Sequence, residues 1–282
     1  MAGALKESAL ETDGKFFRRN GRRVWLRSVT YGPFPTGKPA SRSDEFARIR
    51  KTGFDSIRIF TLPDHALLDD AERAGLMVIA GLDWNHYVDF ISQPGILSAA
   101  HVKLSGWLEK HAGHPALAGV YVGNEIRADL VRWMGPSTVR EAIERLIELG
   151  REIAPHLLFA YANYPSTEYL EPANADFSAF NIYLEEREGF AAYLRRLQNI
   201  AGDRPLVVSE FGMDSARNPQ NTQAETLGWA LEISHREEAA GFTVFSWSDL
   251  WMRDEREICD WDFGITDRNG ERIEGMRDMM NK

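Results

Sequence analysis

Eight short β-rich runs recur along this chain, and their spacing constrains the fold more than any other feature. They are Val24–Tyr31, Ser56–Thr61, Met77–Leu82, Ala118–Asn124, Leu157–Asn163, Phe177–Tyr183, Leu206–Phe211 and Phe242–Ser248. From 24 to 242 in seven steps, the starts average about 31 residues apart, the repeat expected when one strand and one helix alternate. Helical patterns fill the gaps at Asp44–Thr52, Asp64–Ala74 and Leu97–His111. Thr138 and Glu141, and again Thr222 and Glu225, read as T-x-x-E capping boxes opening two further helices. Gly53, Gly75 and Gly241 stand where a helix would stop and the next strand begin. Eight strands with intervening helices predict an α/β fold, a (β/α)8 TIM barrel. The rival, a doubly wound open sheet, usually carries a glycine-rich phosphate turn after an early strand, and none is present.

Ahead of the first run, Asn20-Gly21 separates two alternating segments and predicts a type I′ hairpin. Its arginines (Arg18, Arg19, Arg22, Arg23) read as a solvated face. With no linker-like stretch, 282 residues are expected to form one domain over 15–282, after a tail over 1–14. The 42 acidic and 33 basic side chains leave a net charge of −9, which argues against nucleic acid or an anionic membrane as the main partner. No run reaches the roughly 18 apolar residues of a membrane span. The opening residues carry Lys6, Glu7, Glu11 and Asp13 without an apolar leader, so a cytoplasmic location is the expectation unless the chain is an excised domain or a mature form. The single Cys259 excludes an internal disulfide. His111 and His114 read as a helix end rather than as metal ligands, and no cofactor or metal is expected.

Catalytic groups of such barrels stand at the C-terminal ends of strands. That filter selects Glu125 after the fourth run and Glu210 in the seventh, facing one mouth. Alone, Glu125 would fit a surface carboxylate at a helix N-terminus. Paired with a glutamate in a buried strand it fits glycoside hydrolysis, where one carboxyl protonates the departing oxygen and the other attacks carbon or activates water. The filter also gathers Trp84, His86, Asn163, Asn181, Tyr183 and Asp249.

The motifs NGRRVWLRSVTYGPF, SIRIF with Arg58, GVYVGNE with Asn124-Glu125, VVSEFG with Glu210 and VFSWSD with Trp247 resemble those of clan A glycoside hydrolases, families two and five. The segment DWDFGITDRNGERI resembles the close of the family two catalytic domain. The resemblance implies a retaining β-glycosidase acting on a carbohydrate, with Glu210 as nucleophile and Glu125 as acid/base. It further implies that Asn124 binds the sugar 2-hydroxyl and that Arg58 and Tyr183 hold Glu210 ionised. Trp247 is expected as an apolar floor and His86 near the same subsite. Two departures concern the substrate: Ser28-Val29-Thr30-Tyr31 replaces Gly-x-Asn, and Asn181-Ile182-Tyr183 replaces a histidine.

Trp84, Trp251 and Trp261 join Trp247 as candidates to stack on sugar, whereas Trp107, Trp133 and Trp229 fall in helical patterns and read as packing. The acidic stretch Asp249–Asp262 is long for a loop and is a candidate border of the cleft. The same site would serve a transglycosylase. A catalytically idle glycan-binding barrel, as one module of a larger assembly, is the alternative from another class.

Overall fold

The computed structural model describes residues 10–218, 220–253 and 256–271. Its first three strands, β1 (Leu10–Asp13), β2 (Phe16–Arg19) and β3 (Arg22–Val24), form an antiparallel sheet. The expected tail therefore gives up residues 10–13 to a strand that pairs along the whole of β2. Asn20 (φ 52°) and Gly21 (φ 73°) make the β2–β3 turn, with Arg19 opposite Arg22. Both positive φ values are those a type I′ turn demands. Arg18 and Arg23 each reach Asp13 at 2.9 Å and stay exposed.

The eight runs become eight parallel strands: β4 (Leu26–Thr30), β5 (Ser56–Arg58), β6 (Met77–Gly81), β7 (Leu117–Asn124), β8 (Leu158–Asn163), β9 (Ser178–Asn181), β10 (Leu206–Phe211) and β11 (Gly241–Val244). They close into one barrel in chain order. Strand alternation divides the core in two. Met77 and Ile79 join Leu26, Tyr121, Ala160 and Val207 inside, while Val78 and Ala80 face the helices with Val120, Phe159 and Val208. Leu10 and Phe17 of the N-terminal sheet belong to the inner cluster, and Phe17 meets Phe177 edge-on at 5.5 Å. The sheet thus plugs the barrel end opposite the strand C-termini.

Among the described residues seven α-helices pack outside: α1 (Arg42–Lys51), α2 (His65–Ala74), α3 (Pro94–His111), α4 (Ala128–Met134), α5 (Pro136–Ile153), α6 (Arg187–Ala201) and α7 (Gln220–Arg236). Ser41 and Asp64 cap α1 and α2, and Gly75 closes α2 at φ 70°. The two T-x-x-E boxes do not open their helices. Pro136 starts α5, its ring presetting the first helical φ, so Thr138 lies inside the first turn. Likewise α7 starts before Thr222. Gly241 lies in β11, where a β-carbon would come within 2.6 Å of Leu26 Cβ; close strand approach, not a helix stop, requires glycine there. Helices α4 and α6 lie outside the segments the sequence reading assigns.

The acidic stretch after β11 contributes two antiparallel strands, β12 (Trp251–Arg253) and β13 (Arg256–Ile258). The chain then returns along the end of β11, where Ser246 N–H donates to Phe263 O and Thr266 N–H to Trp247 O. Residues 272 and 273 of the closing motif lie outside the described residues. Among the described residues no helix is long and apolar enough to cross a membrane.

Candidate active site

The C-terminal ends of β5, β7, β9 and β10 bring Arg58, Asn124, Glu125, Asn181, Tyr183 and Glu210 into one hydrogen-bonded group. Arg58 holds its centre. Its Nη1 meets Glu210 Oε1 at 2.5 Å and Ser209 O at 2.7 Å, and its Nη2 reaches Asn124 Oδ1 at 2.6 Å. The arginine is 1% and Glu210 5% exposed, so the ion pair is removed from water, where attraction is strong and loss of either partner is costly. The guanidinium also lies over Phe60 (4.7 Å) and Tyr121 (5.0 Å). Tyr183 donates its hydroxyl to Glu210 Oε2 at 2.7 Å.

Asn181 links the two glutamates. Its Nδ2 lies 2.8 Å from Glu125 Oε1 and 2.8 Å from Glu210 Oε1. Those oxygens are therefore at most 5.6 Å apart, twice 2.8 Å. Ser209 Oγ donates to Asn181 Oδ1 at 2.7 Å, fixing which end of the amide faces the carboxyls.

Burial, and then the neighbouring Glu210, push the Glu125 carboxyl up to about 7. The residue adopts φ 48°, the left-handed region that side chains other than glycine avoid. Its neighbours impose that turn: Glu125 N–H donates to Ala162 O, Ile126 N–H to Tyr161 Oη and Ala128 N–H to Tyr164 Oη. Strain held by surrounding bonds is a mark of functional sites. In β10 the register shifts beside Glu210 on both neighbouring strands, re-aiming the side chain next to the mouth.

The aromatic expectations need correction. Trp247 is fully buried on the helix side, its indole N–H bonded to Glu45 of α1 and Arg48 set over its ring at 5.8 Å. The chain turns after Val244, so Phe245 faces the mouth instead, packing against Tyr183 (6.1 Å), Phe60 (6.5 Å) and Trp251 (5.0 Å). Trp251 is buried within this wall against Trp261. Trp84 gives its N–H to Val122 O and packs on Phe90, which leaves no face for a sugar. Buried His86 lies beside the Asn124 backbone, its pKa pushed down to about 4 by burial, and so is neutral. Asp249 accepts from Gly264 N–H at 2.6 Å and holds the returning segment rather than a ligand. Trp133, read as packing, is 77% exposed. Ser209 and Phe245 complete the site beyond the residues gathered above, and Asn181, gathered only by its strand-end position, bridges the two glutamates.

A separate cleft of about 270 Å³ is lined by Phe60 with Tyr31, Phe34, Lys38 and Arg42. Elsewhere, His65, Asp69 and His114 bring their ligand atoms within 4.8 Å of one another. His114 Nδ1 accepts from Ala116 N–H, so its proton sits on Nε2 and is donated to Asp69 at 3.2 Å. That tautomer suits an Asp–His pair and opposes a metal on Nε2.

No protein-family model and no curated protein matches the sequence. Among solved structures the chain is similar to a β-glucuronidase from Ruminococcus gnavus in complex with a C6-substituted uronic isofagomine, at 15% identity over 97% of this chain and 52% of that one, TM-score 0.78. It is similar to Bacteroides uniformis β-glucuronidase 2 covalently bound to cyclophellitol-6-carboxylate aziridine, at 18% identity over 96% and 37%, TM-score 0.76. It is also similar to a family two β-galacturonidase from Eisenbergiella tayi bound to galacturonate, at 18% identity over 97% and 53%, TM-score 0.77. This chain spans about half of those proteins or less. The likeness shows the fold: a (β/α)8 barrel shared with the barrels of these glycoside hydrolases.

Proposed function

We propose that the chain is a retaining β-glycoside hydrolase of clan A, working by double displacement. One observation carries the reading: a single amide nitrogen 2.8 Å from both Glu125 and Glu210. The resulting ceiling of 5.6 Å between those two oxygens supports a close pair, as the roughly 5–5.5 Å separation of retaining enzymes requires, rather than the roughly 6.5–9.5 Å of inverting ones.

The environments divide the roles. Glu210 is paired with a buried guanidinium and accepts from a phenol, contacts that fix its carboxylate for attack as a nucleophile. Among the described residues no cation bonds to Glu125, and burial pushes its carboxyl up to about 7, which suits an acid. Glu210 attacks the anomeric carbon as the bond to the leaving oxygen breaks, and that oxygen takes the Glu125 proton. Glu125 then removes a proton from water, whose oxygen attacks the same carbon and releases Glu210. A sugar hydroxyl in place of water gives transglycosylation at the same site. Asn124, held by Arg58 and Asn181, is positioned for the sugar 2-hydroxyl.

The uronic ligands of the similar structures make β-uronides the first substrates to try, beside neutral aryl β-glycosides. With the substrate found, Glu210→Ala and Glu125→Ala should each lower kcat by orders of magnitude. Azide should restore turnover in both, giving an inverted glycosyl azide with Glu210→Ala and a retained one with Glu125→Ala. Full activity in either variant contradicts the proposal. An idle binding barrel would show no turnover to lose.

A further inference from the structure

The loop after β6 and the helix after β7 carry aromatic surface that the chemistry above does not use. Trp133 of α4 leaves 77% of its surface open, yet its position is fixed. Its indole N–H donates to Asp89 Oδ2 at 2.9 Å, and Asp89 Oδ1 accepts from the backbone N–H of Ser92 (3.0 Å) and Ile91 (3.2 Å). Tyr87, in the same loop, is 53% exposed and lies against buried His86 at 4.2 Å. A large ring anchored at its polar edge, with its faces left in water, gains little for the core and suits contact with a ligand.

Position says which part of a ligand. Trp133 follows Glu125 by eight residues (133 − 125) in the segment leaving β7. Asp89 follows His86, whose ring lies beside the Asn124 backbone. Both supports of the ring thus flank the general acid. An acid stands next to the leaving oxygen, so the loops beside it meet the leaving half of the substrate. We infer that Trp133, aided by Tyr87, is a stacking platform for a pyranose on the leaving-group side of the cleaved bond. This rests on Glu125 as the acid. The apolar C–H face of the ring lies on the indole and its hydroxyl edge stays in water. The natural substrate is then an oligosaccharide rather than a glycoside of a small alcohol. A sugar acceptor in transglycosylation would occupy the same platform, because it re-enters where the leaving group departed.

The test uses two substrates with one glycone: a β-linked disaccharide, and the β-glycosyl fluoride, whose leaving group is a single atom. In Trp133→Ala, kcat/KM for the disaccharide should fall about tenfold, the loss expected of one aromatic contact. Trp133→Phe should retain most of it, and Asp89→Ala, which frees the ring, should lie between. The fluoride should change by less than about twofold in all three variants, since its cleavage makes no use of the platform. Undiminished disaccharide cleavage in Trp133→Ala overturns the inference, and so does an equal loss on both substrates. Failure of the hydrolase reading looks different: the folded wild-type protein turns over neither substrate, and the platform falls with it.

Discussion

Asn181 is the residue on which the site's geometry turns, because it donates to both carboxyls while Ser209 fixes its orientation. Its loss should reach beyond packing. Asn181→Ala should lower kcat/KM on the order of a hundredfold, the usual cost of a positioned donor. It should also move the pH profile. Wild-type kcat/KM should decline above about pH 7 as Glu125 loses its proton. The Asn181 bond favours the Glu125 anion and so lowers its pKa; without it the decline should begin at higher pH. An unshifted profile would leave Asn181 a merely structural role. At this scale the sequence was legible where function follows strand position: Arg58, Asn124, Glu125, Tyr183 and Glu210 all converge. It was illegible for tryptophans, because which face a side chain takes beyond a strand end depends on the turn that follows. Trp247 and Phe245 are two residues apart, and the turn after Val244 sends one to α1 and the other to the mouth.

Among the elements, the strand starts were read to within two residues, since the barrel strands are largely buried on both faces, but the runs read from Ser56 and Phe242 extend three and four residues past the ends of β5 and β11. Helix starts were read less well. Pro136 decided where α5 begins, against the nearby Thr138 and Glu141, since a preset φ acts at the first residue whatever polar side chains follow. Helix α6 has a clear apolar period in Phe190, Leu194 and Leu197, yet lacks a side-chain cap to announce it. Two helical glycines then separate propensity from packing. A β-carbon on Gly106 of α3 meets nothing within 4 Å, whereas one on Gly150 of α5 would lie 2.3 Å from the buried Phe159 ring. Gly106→Ala should stabilise by up to about 1 kcal/mol, and Gly150→Ala should destabilise by about 1–3 kcal/mol. Denaturant titrations of both variants check this; the same sign for both would mean that packing against β8 does not dictate Gly150.

For the molecule as a whole, the eight-run spacing gave the closed barrel, and the barrel gave the place to look. What spacing could not show was how many carboxyls the fold buries. Burial is the first cause that pushes Glu125, Glu171 and Asp249 up to about 7 and Asp55 up to about 6. Each is raised above its unfolded value near 4, so the folded state holds these protons more tightly. Their contribution to stability is complete below about pH 4 and is lost as pH rises through 6 and 7. The carboxyls shifted the other way, half-buried Asp13, Asp69 and Asp89 and exposed Asp129, act only below the ordinary carboxylate range. Tm should therefore be higher at pH 5.5 than at pH 8, with self-repulsion of the −9 net charge adding to the decline at alkaline pH. A Tm that rises between those two values would show that the four groups titrate near their unfolded values.

The central claim is that Glu210 bonds covalently to the sugar while Glu125 handles the proton. Its most direct test is a 2-deoxy-2-fluoro β-glycoside bearing the accepted glycone and an activated leaving group, followed by peptide mass spectrometry. The account predicts time-dependent inactivation, one sugar per chain, and the mass increment on the peptide at Glu210, with no labelling of Glu210→Gln. Turnover of the parent glycoside without any trapped adduct, or an adduct on Glu125 instead, would contradict it.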